Sequence, residues 1–95
     1  MSVYLVFTRE KTRDAEELEI YNQQVLSTLK GHSVKIHALY GKQENLEGAA
    51  SEGTVITEFP SAAAALAWYN GPEYRKVREH RYKGADFRVT LVEGV

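Results

Sequence analysis

The sequence predicts a single α+β domain whose elements follow the order β-α-β-β-α-β. Three observations support it: four short apolar runs typical of strands, two stretches with helical spacing, and a segment, residues 59–74, that holds both prolines and the only tryptophan. This order is the split βαβ arrangement of ferredoxin-like folds, with one four-stranded antiparallel sheet and both helices on one face. Because 95 residues are enough for one domain with its own core, we assign residues 1–95 to it.

The first half of the chain supplies two strands and one helix. The β-branched and aromatic run at residues 3–8 predicts the first strand, which ends where the sequence becomes polar. Asp14 is placed to cap a helix, and Gly31 provides its stop. Residues 34–40 predict the second strand. The glycine-containing stretch at 42–53 then predicts a loop, without a phosphate-binding pattern.

The second half supplies the other two strands and a helix in two pieces. Residues 54–59 predict the third strand, and a proline directly after them stops its ladder. Ser61 caps an alanine-rich helix over 62–70, whose small residues allow close approach to a sheet. A Gly-Pro pair restarts the helix over 72–83. Residues 87–93 predict the last strand.

Apolar residues occur on both faces of the predicted strands. Tyr4, Val6, Ile56 and Val92 are opposite in parity to the neighbouring apolar residues of the same strands. An exposed apolar face on the order of several hundred Å² is unusual on a soluble monomer. We therefore expect two sheets to pair face to face in a homodimer, as a dimeric α+β barrel.

The composition excludes several classes of protein. Twelve Lys and Arg against thirteen Asp and Glu give a net charge of −1, so no overall field favours nucleic acid or an anionic membrane. The chain has no cysteine, and its three histidines lack metal-ligand spacing, so neither a disulfide framework nor a metal site is predicted. No window approaches the roughly 20 apolar residues of a membrane span. We expect a soluble cytoplasmic protein with no cofactor.

Several short motifs carry a family resemblance. They are Glu58-Phe59-Pro60-Ser61, Ala64-Ala65, Trp68-Tyr69, Pro72-Glu73-Tyr74, Arg81 and Val92-Glu93-Gly94, together with Asp14, Tyr21 and Leu46-Glu47-Gly48. Through them the chain resembles the family of unknown function numbered thirteen-thirty, within the dimeric α+β barrel superfamily. It departs from the family at Ser33-Val34, where relatives tend to have Gly-Gly, and at Ala49-Ala50, which replace a common aromatic residue.

The resemblance implies a barrel built from two four-stranded sheets. The superfamily includes cofactor-free monooxygenases, isomerases and haem-handling enzymes, but the family itself implies no established reaction. The two departures fall on the loop side of any pocket shared with the family.

Four residues are candidates for a ligand site: Tyr21, His37, Tyr74 and Arg81. His37 has the side chain of a general base or an axial ligand, although a single strand histidine also suits a structural hydrogen bond. The phenols of Tyr21 and Tyr74 suit the binding or protonation of a carbonyl, and they equally suit core packing. His37 and Tyr21 are the candidate catalytic residues.

Arg81 shares the inner side of its predicted helix with Tyr74, and a buried guanidinium needs an anionic partner. That partner is either Glu58 or Glu93, or a carboxylate on a ligand. Glu58 is alternatively expected to pair with Arg88 on a neighbouring strand. Two function classes follow. The first is a small-molecule-binding protein, or a cofactor-independent enzyme, with a pocket for an anionic metabolite between helices and sheet. The second is a non-catalytic dimeric binding or assembly module in which the polar groups are structural.

Overall fold

The computed structural model describes residues 2–95 and has the predicted α+β, ferredoxin-like architecture. Its strands are β1 (Val3–Thr12), β2 (Lys35–Leu39), β3 (Gly53–Phe59) and β4 (Ala85–Glu93), and its helices are α1 (Ala15–Gln24), α2 (Ala62–Tyr69) and α3 (Pro72–Gly84). One antiparallel sheet has the strand order β2-β3-β1-β4. None of the described helices has the length and apolar character needed to cross a membrane.

The core lies between the helices and one face of the sheet. The central strand β1 places Val3, Leu5 and Phe7 on this face, and all three are buried. Their cross-strand partners on β3 are Phe59, Thr57 and Val55. The helices cover this face with further buried side chains, namely Leu18, Tyr21, Ala65, Trp68, Tyr74 and Val77.

Two predicted boundaries were wrong. Strand β1 continues to Thr12 instead of ending at Thr8, because Arg9 pairs with Phe87 and Thr12 pairs with Ala85 in β4. A polar strand end of this kind is stabilised by its neighbour, and hydrophobic patterning does not detect it.

The helix that was predicted from Asp14 to Gly31 is also divided. Asp14 does cap α1 by accepting hydrogen bonds from the backbone N–H groups of Glu16 and Glu17. The α-helix ends at Gln24, however, and a 3₁₀ turn follows over Leu26–Leu29. In that turn the Thr28 hydroxyl donates to the carbonyl of Val25, 2.6 Å away, which favours the tighter geometry.

The two helical pieces after β3 are arranged as predicted. Ser61 caps α2 through its hydroxyl, and Pro72 occupies the first turn of α3. Helix α3 approaches α1 so closely at its end that a Cβ on Gly84 would lie 2.7 Å from the backbone nitrogen of Leu18. This approach brings the inner sides of α1 and α3 together above the sheet.

Candidate functional site

A buried cluster of phenol and guanidinium groups lies between α1, α3 and the sheet. The hydroxyls of Tyr21 and Tyr74 are 2.8 Å apart and hydrogen-bonded, with their rings edge to face. Tyr21 is 5%, Tyr74 0% and Arg81 3% exposed. The structure thus places three of the four predicted site residues together, and it does so through helical spacing on two neighbouring helices.

Arg81 is surrounded by aromatic groups and has no carboxylate partner among the described residues 2–95. Its Nη2 donates to the Tyr69 hydroxyl at 3.3 Å, and its guanidinium carbon lies 5.0 Å from the ring centroid of Tyr82 and 5.1 Å from that of Phe87. Its Nε is buried and meets no hydrogen-bond partner in the part of the chain that the structure describes. Across residues 2–95, no Asp or Glu forms an ion pair with it. Aromatic faces attract a cation but do not neutralise it.

The ionisation states of this cluster follow from its burial. Burial raises the pKa of Tyr21 well above its usual value, and the neighbouring Tyr74 raises it further. Burial also raises the pKa of Tyr74, against an opposing effect of the Arg81 charge. Burial disfavours the charged guanidinium, yet interactions with Tyr74, Tyr21 and Tyr69 raise the pKa of Arg81 above its usual value. At neutral pH the cluster therefore holds neutral phenols and one cation.

The chemistry of these groups sets the direction of their hydrogen bonds. In the Tyr21–Tyr74 pair the hydrogen bond raises the pKa of Tyr21 and lowers that of Tyr74, which is the pattern expected when the Tyr21 hydroxyl donates and the Tyr74 oxygen accepts. The charge of Arg81 opposes the rise in the pKa of both phenols and so polarises this pair.

An apolar cavity of about 160 Å³ begins at Tyr21. Its wall combines the helix face of the sheet with α1 and the 3₁₀ turn, and it is lined by Phe7, Tyr21, Asn22, Val25, Leu26, Leu29, Ile36, Leu39, Tyr40, Val55, Thr57 and Trp68. The half-exposed side chains among them, Leu26, Ile36 and Leu39, mark its mouth. An apolar cavity whose wall contains Tyr21, with Tyr74 and a buried cation behind that phenol, is the arrangement expected of a small-molecule site.

Sequence reasoning missed Tyr40 as a site residue. Tyr40 follows β2 with a φ of 52°, a left-handed conformation that is uncommon for a bulky residue and that often occurs at functional sites. Its ring covers Gly53, where a Cβ would lie only 2.5 Å from a ring carbon. The guanidinium of Arg9 lies on this ring, 4.7 Å from the centroid. The only sequence signal was an aromatic residue directly before Gly41 at a strand end.

His37 lies on the opposite face of the sheet from this cluster. Its Nε2 is 2.7 Å from Glu58 Oε1, and its ring packs near that of Tyr4, which is opposite in parity to buried Leu5. The irregular register of β2 between Ile36 and Ala38 allows Ile36 and Leu39 to line the cavity while His37 faces away. The structure gives His37 a hydrogen-bonding role.

The contacts of Glu58 differ from the two predicted for it. Hydrogen bonds from Ser2 and His37 lower its pKa, so it serves neither as the partner of Arg81 nor as that of Arg88. Arg88 instead approaches Glu10, at 3.5 Å. Within residues 2–95, no three His, Asp or Glu side chains are grouped where they could hold a metal ion.

The sequence and the fold together define the class of this chain. It belongs to the family described as a domain of unknown function, DUF1330, whose model matches residues 2–95. No curated protein matches it.

Solved structures of similar fold come from several bacteria. A protein of unknown function from Rhodopseudomonas palustris superposes with a TM-score of 0.76 at 17% identity, over 99% of this chain and 82% of that one. A protein described as dimeric, of unknown function and with a ferredoxin-like fold, from Bacteroides fragilis, gives 0.65 at 12% identity, over 98% and 96%. A dabb family protein from Mesorhizobium loti gives 0.67 at 11% identity, over 99% and 97%. At these identities the likeness concerns the fold alone.

Proposed function

We propose that this protein binds a small organic anion in the cavity between its helices and sheet, with Arg81 as the source of positive charge. The observation that carries the proposal is a guanidinium that is 3% exposed and has no carboxylate partner in residues 2–95. A buried charge without a counter-ion is costly to keep, so a fold that retains one has a use for it. An anionic ligand would provide the missing charge.

The cavity next to this charge supports the same conclusion. Tyr21 belongs to the cavity wall and is hydrogen-bonded to Tyr74, on whose pKa the Arg81 charge acts. A ligand in the cavity would meet the Tyr21 hydroxyl, which can redirect its hydrogen from Tyr74 to a ligand oxygen and whose donor strength the cation increases. The same hydroxyl is the group from which a bound carbonyl would receive a proton, if the protein is a cofactor-independent enzyme.

The test compares Arg81→Gln with the wild type by thermal unfolding, with and without a panel of small carboxylates. A ligand that binds only the native state stabilises it by about 2.7 kcal/mol at a hundred times its Kd. We expect at least one carboxylate to raise the melting temperature of the wild type and not that of Arg81→Gln. Arg75→Gln is the matched control, because Arg75 lies on the same helix but is exposed, and it should respond like the wild type.

The apo proteins provide a second readout. Because Arg81 has no carboxylate partner within residues 2–95, Arg81→Gln should unfold near the wild-type temperature when no ligand is present. An apo mutant destabilised by roughly 3 to 5 kcal/mol, the cost of breaking a buried ion pair, would show that the charge serves the fold and would defeat the proposal.

A dimeric assembly is the second proposal, and the apolar second face of the sheet supports it. Tyr4, Val6 and Ile56 are only partly covered there, and Val92 is 46% exposed. A similar fold from Bacteroides fragilis is described as dimeric.

We expect light scattering to give the mass of two chains for the wild type and of one chain for Val92→Glu. Leu66→Glu, at a helix position 45% exposed, should remain a dimer; a wild-type mass of one chain at micromolar concentration would refute the assembly.

A further inference from the structure

We infer that the ligand of this cavity is a monoanion: a carboxylic acid that carries an apolar group about the size of a benzene ring. This inference rests on the proposed function and adds the charge and the size of the ligand. Two observations lead to it independently: the dimensions and lining of the cavity, and the balance of the charges of Arg9 and Arg81.

The cavity sets the size of the apolar group. Its volume is about 160 Å³, and nearly all of its lining side chains are aliphatic or aromatic. An apolar cavity of about 150 Å³ in another protein stays dry and accepts benzene. A single ring or a branched chain of similar volume would therefore fill this one, whereas a fused ring system would require the mouth at Leu26 and Leu39 to open further.

Arg9 does not add a free positive charge to the site. Its Nε lies 3.2 Å from Glu52 Oε1, and the same carboxylate oxygen accepts a hydrogen bond from the Thr12 hydroxyl at 2.6 Å. The hydrogen bonds from Thr12, followed by the charge of Arg9, lower the pKa of Glu52. Glu52 is therefore ionised at neutral pH and balances Arg9.

Arg81 differs from Arg9 because it is buried and has no carboxylate partner within residues 2–95. Burial raises the pKa of Tyr40, a residue of the cavity wall, and the charges of Arg9 and Arg81 oppose this increase. Arg78 is a further cation on α3; it is only partly buried, donates to the Tyr69 carbonyl and is stacked on that ring. With Arg9 balanced by Glu52, the buried Arg81 leaves a single positive charge for the ligand, which a monoanion neutralises.

A carboxylate also matches the hydrogen-bond donors at the cavity end. Tyr21 and Tyr40 are phenols of the cavity wall, and each hydroxyl can donate one hydrogen to a ligand oxygen. A carboxylate accepts through two oxygens and has no hydrogen to donate, so both phenols can serve it. A second negative charge, as on a phosphate monoester, would enter this low-dielectric site without a partner.

The experiment measures the affinities of four probes at pH 8 by titration calorimetry. Phenylacetate combines the apolar ring and a single charge, phenyl phosphate combines the ring and two charges, benzyl alcohol has the ring without a charge, and acetate has the charge without the ring. For the wild type we expect phenylacetate to bind at least about tenfold more tightly than each of the other three, since each lost or unpaired group costs about 1.4 kcal/mol or more.

Glu52→Gln provides the decisive variant. It removes the charge that balances Arg9, so phenyl phosphate should gain about two- to fivefold relative to phenylacetate, the range that a solvent-exposed ion pair supports. Glu47→Gln makes the same charge change in the same exposed loop and should leave the ratio unchanged.

The outcomes separate this inference from the proposed function. If no anionic probe binds, or if Arg81→Gln binds phenylacetate as tightly as the wild type, the proposed function fails. If anions bind through Arg81 but phenyl phosphate is preferred, or acetate binds as well as phenylacetate, the proposed function stands and the inference about a monoanion with a ring is overturned. An unchanged probe ratio in Glu52→Gln likewise overturns the charge argument.

Discussion

Removal of the indole ring of Trp68 should destabilise the protein more than any other single truncation in α2. Trp68 is almost fully buried and stacks on Tyr74, with ring centroids 4.0 Å apart, and on Phe59 at 5.8 Å. Its Nε1 donates to the Thr28 hydroxyl at 3.0 Å, which connects α2 to the 3₁₀ turn. Trp68 also lines the apolar cavity, so its loss would enlarge a space that already exists.

The magnitude follows from these contacts. Truncation of a buried Trp to Ala costs about 3 to 5 kcal/mol, because the lost transfer free energy adds to the cost of the cavity left behind. The hydrogen bond to Thr28 contributes about 1 kcal/mol of this. Trp68→Phe retains a ring and loses the N–H, so we expect it to cost about 1 to 2.5 kcal/mol.

Urea unfolding followed by far-UV circular dichroism is the suitable assay, because the substitution removes the only tryptophan fluorophore. With m of about 1 to 3 kcal/mol per M, the midpoint of Trp68→Ala should fall by at least about 1 M. Leu66→Ala, at a half-exposed position of the same helix, is the control and should stay near the wild type. An unchanged midpoint for Trp68→Ala would refute the assignment of this ring to the core.

Two further predictions concern the site. The pKa of Tyr21 is raised in the folded state, so its contribution to stability is complete below about pH 10, the unfolded value, and is lost as the pH rises above it. Tyr21→Phe should therefore lose less stability between pH 9 and 11 than the wild type or the exposed-site control Tyr82→Phe. Equal losses of stability in all three proteins would contradict this. Gly53→Ala should cost about 1 to 3 kcal/mol by displacing the ring of Tyr40. Gly41→Ala, whose Cβ would meet no atom of residues 2–95 within 4 Å, should be nearly neutral in urea unfolding.

Much of this fold could be predicted because local signals agree with the tertiary arrangement. Ser61 and Pro72 mark the starts of α2 and α3, and the alternating apolar residues of β1 face the helices as their parity predicts. The errors occur where a distant partner decides the structure. Residues 9–12 are polar and form a strand only because β4 pairs with them, and Thr28 tightens a helix end through a hydrogen bond that no periodicity shows.

The candidate site was predictable to a similar extent. Helical spacing places Tyr21, Tyr74 and Arg81 on inner faces, and the structure brings these three together. His37 could not be placed in the same way, because a register irregularity in β2 decides which sheet face it occupies. Tyr40 was not predicted as a site residue for a different reason. Its importance arises from a left-handed backbone angle and from its contact with Gly53, neither of which is visible in hydrophobic patterning.

The cations of α3 show how the fold keeps a positive charge available. The segment from Arg75 to Lys83 contains five Lys and Arg residues and one acidic residue, so local ion pairs cannot balance it. The structure divides these cations: Arg75, Lys76 and Lys83 are exposed to water, while Arg78 and Arg81 lie against tyrosine rings. An aromatic environment holds a guanidinium in place without cancelling its charge. Of the two, Arg81 is the buried one, and its charge acts on Tyr74, the hydrogen-bond partner of Tyr21 in the cavity wall, so the proposal assigns the attraction of an anion to Arg81.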